Sequence, residues 1–443
     1  MFLYIGNIMF FKEEAFPLSS EMVRSFARNH YPDLTLHPKM VEQLSWLQNN
    51  SINTSQSNVS LQKTPINIEV KRTLSRLNSL TLLIEGGSSA HTAFVLSQPI
   101  NNVLSEENFN RLSHFIQSLS LVARKSLMAT CFITKSDQAI LEVPAEKRNE
   151  LPADSEQFIT HMVTHHPKLF PICALLDQES IDLLKYAFYK NTHARQMLDM
   201  EGGYNMVSDI AEVIRLRVIT YEQYNLWFAR WIINVAGLEG HVNHRGAIYL
   251  TESVANCIWA LKFELDQLWL NHNHQVIDNY LMFRKEQLEV NSVYIAYLGA
   301  LMRQYHPING LEIMAWFETL SKTEQQKKIN VFQTQLTETK VTPTFKPTVL
   351  VNLLELECSI SEALTIFTEI EFQAMQVYLD AIVNGHMSRN TPLSYRAVAY
   401  KENLIPIKDY YDRNHRLPEF TIDSGGYLSI VTDALQETNV INV

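Results

Sequence analysis

Between Thr220 and His274 two runs of apolar residues at helical spacing are joined by a connection rich in glycine and histidine, and those runs restrict the fold to one built largely of helices. Thr220 and Gln223 stand at capping-box spacing. Tyr224, Trp227, Phe228, Trp231 and Val235 then fall on one face, as a buried helix requires. Gly237 is expected to stop that helix in a left-handed conformation. Thr251 opens a second helix, with Val254, Ile258, Leu261, Leu265 and Leu268 in register. The same economy of backbone breakers extends along the chain, which has only 13 Gly and 15 Pro in 443 residues. The expected fold is mainly α, a multi-helix antiparallel assembly, with one exception near the N-terminus.

That exception is a small α+β module over residues 65–145. Leu80–Glu85 and Thr92–Leu96 are short apolar runs around Gly86-Gly87-Ser88-Ser89, and Thr130–Thr134 and Ala139–Val143 form a similar pair. Each pair reads as a hairpin. Between them Ser105 caps a helix with Glu106 and Glu107 in its first turn, so the module reads β-β-α-β-β. Before it come a helical segment over 1–48, in which Pro38 opens a helix, and a polar linker over 49–64 made mostly of Asn, Ser, Gln and Thr. After it come a central helical domain over 153–338 and a C-terminal piece over 348–443. That last piece comprises one helix, capped by Ser359 and ended at Asn384-Gly385, and an irregular wrap.

The net charge of −10 argues against a nucleic-acid partner. The apolar first eleven residues have no basic flank before them and are too short to span a bilayer, and no later stretch is long enough. A cytoplasmic protein, or one delivered by a non-Sec route, fits these features. Cys131, Cys173, Cys257 and Cys358 are far apart without metal-finger spacing and read as reduced, mostly buried thiols.

No phosphate-binding loop, dinucleotide fingerprint, nucleophile elbow or H-E-x-x-H occurs. Histidine carries the remaining chemistry, because nine of the 15 lie between His161 and His306. His161 and His165 share a face if helical, with His166 beside them; His193, His241 and His244 follow. With Glu201 and Glu239 these residues are the candidate ligands of a divalent transition metal, which would activate a water for hydrolysis. No His-Asp dipeptide and no E-x-x-H pair supports a familiar helical metal site. Arg195 and Arg245, close to glycines or to histidine, are candidates for holding a phosphate or carboxylate.

Two classes of function follow. The first is a soluble interaction protein with a protein partner, of a composition that suits a bacterial effector acting on host proteins. The second is a metal-dependent hydrolase built on the histidines. The connection Gly237–Gly246, which holds Glu239, His241, His244 and Arg245 between glycines, is the stretch that the helix signals leave unexplained.

Overall fold

A computed structural model describes residues 17–50, 66–133, 155–188, 197–201, 210–270, 274–337, 344–388, 391 and 393–431. It divides into two units. The first takes residues 1–191 and 216–258, and the second takes 192–215 and 259–443. The stretch 153–338 therefore contributes to both, and the polar linker lies almost wholly outside the described residues.

In the first unit the described helices are α1 (Pro17–His30), α2 (Pro38–Asn50), α3 (Ile68–Glu85), α4 (Gly87–Val95), α5 (Glu106–Ser118), α6 (Leu121–Ile133), α7 (Ser155–His165), α8 (Gln178–Ala187) and α9 (Tyr221–Ala236). The expected caps form where side-chain oxygens can reach the free amides of a first turn. Ser105 accepts from the Asn108 amide, and Asp177 from the Ser180 amide. Thr220 and Gln223 satisfy each other's backbone amides in a complete capping box. Helix α9 packs on α3, α6 and α8 and buries Tyr224, Trp227, Phe228 and Trp231.

Among the described residues the β-β-α-β-β module is not found. Leu80–Glu85 is the last part of α3, whose Leu74, Leu77, Leu80 and Leu83 are all buried at a helical interval. Thr92–Val95 lies in α4 and Thr130–Ile133 in α6, whereas Ala139–Val143 lies outside the described residues. A short apolar run bounded by glycine looks alike as a strand or as a buried helix end, so periodicity over five or six residues did not separate them. Gly86 and Gly87 do turn the chain, at φ 69° and 77°, but they join two helices.

The second unit holds the described helices α11 (Val276–Gln287), α12 (Val293–Leu301), α13 (Pro307–Thr319), α14 (Lys322–Thr337), α15 (Lys346–Glu355), α16 (Ile360–Val383), α17 (Arg396–Ala399) and α18 (Lys401–Asn414). Helix α10 (Glu252–Leu270) runs across the division at Ile258. Among the described residues the one sheet is a hairpin, β1 (Phe420–Ile422) and β2 (Leu428–Ile430), antiparallel with Thr421 opposite Ser429. Its turn is held by Asp423, whose carboxylate accepts from the amides of Gly425 (2.9 Å) and Tyr427 (3.0 Å). The segment expected to wrap irregularly thus contains two helices and a hairpin. Pro406 disguised α18, which nevertheless buries Leu404, Ile407 and Tyr410 on one face.

Helix α16 organises this unit, packing against α13, α14, α15 and β1. Ser359 caps it, and Asn384 with Gly385 (φ 72°) ends it. Its Glu371 forms a buried ion pair with Lys346 of α15, at 2.7 Å. The Lys346 ammonium also donates to the Tyr297 hydroxyl. Burial, and next the Glu371 charge, push the hydroxyls of Tyr294, Tyr297 and Tyr395 well above the usual phenol range.

Removing one member of such a pair leaves the other charge in the interior. Lys346→Met should cost about 3–5 kcal/mol in denaturant unfolding, and adding Glu371→Leu should restore much of that loss. Equal losses in the single and the double variant would show that the lysine acts through packing alone.

Candidate functional site

The unexplained connection of the first unit is built by close backbone approach. Gly237 ends α9 at φ −90°, so the expected left-handed stop is not used. Glycine is needed for another reason: a Cβ there would lie 2.3 Å from Cγ of Arg76 on α3. At Gly240 a Cβ would meet the Ser75 Cβ at the same distance, and at Gly246 (φ 81°) it would meet the Phe94 carbonyl oxygen at 2.4 Å. The amide of Ala247 then donates to that carbonyl at 2.8 Å. One end of the connection is thus laid on α3 and the other on α4.

His241 faces Arg72 of α3. The Arg72 Nε donates to the Leu238 carbonyl (3.0 Å) and to His241 Nδ1 (3.2 Å), while its Nη1 pairs with Glu69 at 2.8 Å. Burial and then Arg72 lower the His241 pKa, against the opposing charge of Glu239. His244 points elsewhere. Its ring lies 3.7 Å, centroid to centroid, from that of His30 at the end of α1, with Phe26 at 5.8 Å and Tyr31 at 6.3 Å. Lys71 sits over the Phe26 ring at 5.9 Å. Burial lowers the pKa of both histidines; Lys71 and Arg245 lower both further, and for His244 so does His30.

The other candidate ligands do not join this group. His161, His165 and His166 cluster at the end of α7, with ring centroids 4.6 to 6.5 Å apart. Glu201 belongs to the second unit, is buried, and accepts from the Phe345 amide just before α15. His193 and Arg195 lie outside the described residues. Among the described residues no three His, Cys, Asp or Glu side chains stand together as metal ligands. His30 and Lys71 were missed because nothing local in sequence marks them; they come from segments about 170 to 210 residues before His244.

The second unit contains a groove of about 710 Å³ between α14 and α16. Ser321 and Glu324 cap α14 reciprocally, and the Gln325 amide ties it to the carbonyls of Phe317 and Leu320 (2.9 and 3.1 Å). This positions Val331 opposite Phe372, Met375 and Leu379 as an apolar floor. Leu379 is 40% exposed, and one turn beyond it Val383 is 81% exposed. Lys322 and Lys327 stand among the lining residues, which include no carboxylate. The Lys327 ammonium lies 3.2 Å from the Phe372 ring centroid. Deeper in, Lys328 donates to Thr368 Oγ1 at 2.6 Å, and burial lowers its pKa.

Comparison with protein-family models, curated proteins and solved structures finds no match to this chain. Among the described residues no helix is long and apolar enough to cross a membrane.

Two outcomes check the first-unit geometry. Gly240→Ala should destabilise by about 2–4 kcal/mol, because its Cβ meets a packed side chain. Gly87→Ala, which meets nothing within 4 Å, should cost only the roughly 1–2 kcal/mol of its positive φ. Comparable losses in chemical denaturation would contradict the packed contact. His30 and His244 bind protons less readily when folded, so their contribution to stability falls as pH drops below the ordinary value of 6.5. His244→Gln should therefore flatten the fall in melting temperature between about pH 6.5 and 5; an unchanged slope would contradict the coupling.

Proposed function

We propose that the chain is an interaction protein that holds an amphipathic helix of its partner, apolar on one face and acidic along its edges, in the groove between α14 and α16. The observation that carries this reading is the combination of an open apolar floor with a lysine rim. On a chain of net charge −10, a groove whose described lining has two lysines and no carboxylate, with Glu369 and Glu371 set in the adjoining recess, is complementary to an acidic amphipathic segment. The stretch Lys322–Thr334 spans roughly 18 Å, about three turns of a bound helix. Helix-in-groove recognition needs apolar anchors at that periodicity, and Phe372, Met375 and Leu379 offer a floor with the same spacing. The amide-rich, low-glycine composition that suits a delivered effector bears on where such a partner is met.

The test uses two idealised helical peptides with the same apolar face, one edged with glutamate and one with lysine, followed by fluorescence anisotropy. The acidic peptide should saturate with a Kd on the order of 10 µM, and the basic one should bind at least about tenfold more weakly. Leu379→Asp, at an exposed position, should abolish binding without lowering the melting temperature. Equal binding of both peptides, or no effect of Leu379→Asp, rules the reading out.

A further inference from the structure

We infer that His30, Lys71, His244 and Arg245 form a binding site for a phosphate-type dianion in the first unit. Three separate elements converge there. Helix α1 supplies His30 at its C-terminal end, α3 supplies Lys71 near its start, and the glycine-anchored connection supplies His244 and Arg245. The two imidazoles are within ring contact, at 3.7 Å between centroids, and neither is deeply buried. Arg245 is exposed and its amide is fixed by the Asn243 side chain at 2.9 Å, which orients the end of the loop.

Among the described residues, the carboxylates near this group are engaged elsewhere. Glu69, on the same helix as Lys71, is taken by Arg72 at 2.8 Å and lies 3.8 Å from Arg76. Glu239 acts on His241. On α1, Glu21 is paired with Arg28 at 2.9 Å. Among the described residues, the charges acting on His30 are Lys71 and Arg245, and those acting on His244 are His30, Lys71 and Arg245; all have the same sign. Four groups able to carry positive charge are thus held together on a chain that is acidic as a whole. The backbone contacts at Gly240 and Gly246 keep them from spreading apart. An oxyanion with two negative charges removes this repulsion and accepts hydrogen bonds from the arginine, the lysine and both imidazoliums. Protons and anion must then bind cooperatively, because each stabilises the state the other prefers.

The experiment follows the histidine ring resonances of the whole chain by NMR between about pH 5 and 8, in chloride and in phosphate at equal ionic strength. His30 and His244 should titrate at higher pH in phosphate, while the exposed His114 on α5 stays unmoved. In calorimetry, inorganic phosphate should bind saturably at pH 7.5, where it is mostly the dianion, and sulfate, a dianion throughout this range, should bind about tenfold more tightly at pH 5.5 than at pH 7.5. Arg245→Gln and Lys71→Gln should each weaken phosphate binding by about tenfold or more, with unchanged melting temperature. A phosphoserine peptide run alongside separates a phosphorylated partner, which would bind more tightly than phosphate, from the free anion, which would bind at least as well. Histidine shifts that include His114 equally, phosphate binding indifferent to Arg245→Gln, or no saturable binding of either probe would each overturn the site. The peptides that test the α14–α16 groove report on other residues, so the two readings fail independently.

Discussion

The first unit depends on the closeness with which the backbone after α9 lies on α3. A side-chain carbon at either Gly237 or Gly240 would sit 2.3 Å from an atom of α3, inside any permitted contact. Because those positions are glycine, the end of α9 and the side of α3 meet backbone to helix. That contact puts Arg76 in the interior, where burial disfavours its charge and Glu69 opposes that effect. It also brings Arg72 to the Leu238 carbonyl and to His241. At the far end, Gly246 repeats the arrangement against α4. The chemistry of the connection is therefore a product of packing, since the histidines go where a glycine-pinned loop carries them.

The second unit solves a different problem, that of a charged interior. Helix α16 is long and apolar, yet it places Glu371 among three tyrosines. Lys346 answers that charge from the first turn of α15, and the bend before it requires Phe345 in a left-handed conformation, with φ 70°. Glu201 accepts the Phe345 amide at that bend. One carboxylate thus holds the turn that delivers the cation for another. Ion pairs of this depth add little net stability over an apolar core, yet breaking one by removing a single partner is costly.

The helices with strong local signals were legible in the sequence. Thr220–Gln223, Ser105, Asp177 and Ser359 announced their helices through caps, because capping is decided within four residues. The double glycine at 86–87 was legible as a turn but not as a turn between helices, since the flanking apolar runs were too short to show a period. Pro406 concealed α18 for the converse reason, as a local penalty outweighed by three buried side chains. At the sites, His241, His244 and Arg245 stood out in sequence, whereas their partners Arg72, His30 and Lys71 did not. Such partners are chosen by tertiary approach across about 170 residues or more, which leaves no spacing to read. The α14–α16 groove was illegible too, because an open floor between two helices is a property of their separation.

The four thiols, at Cys131, Cys173, Cys257 and Cys358, are all buried and form no disulfide. Burial pushes those of Cys131 and Cys173 up to about 12, and that of Cys358 to about 11. The ionised sulfur is the nucleophile toward a thiol reagent, so burial slows the reaction of Cys131, Cys173 and Cys358 while the chain stays folded. Cys131 and Cys173 lie in the first unit and Cys358 in the second. The protein thereby carries its own clock in each unit: the order in which the sulfurs become alkylated reports which half opens first, with no label introduced.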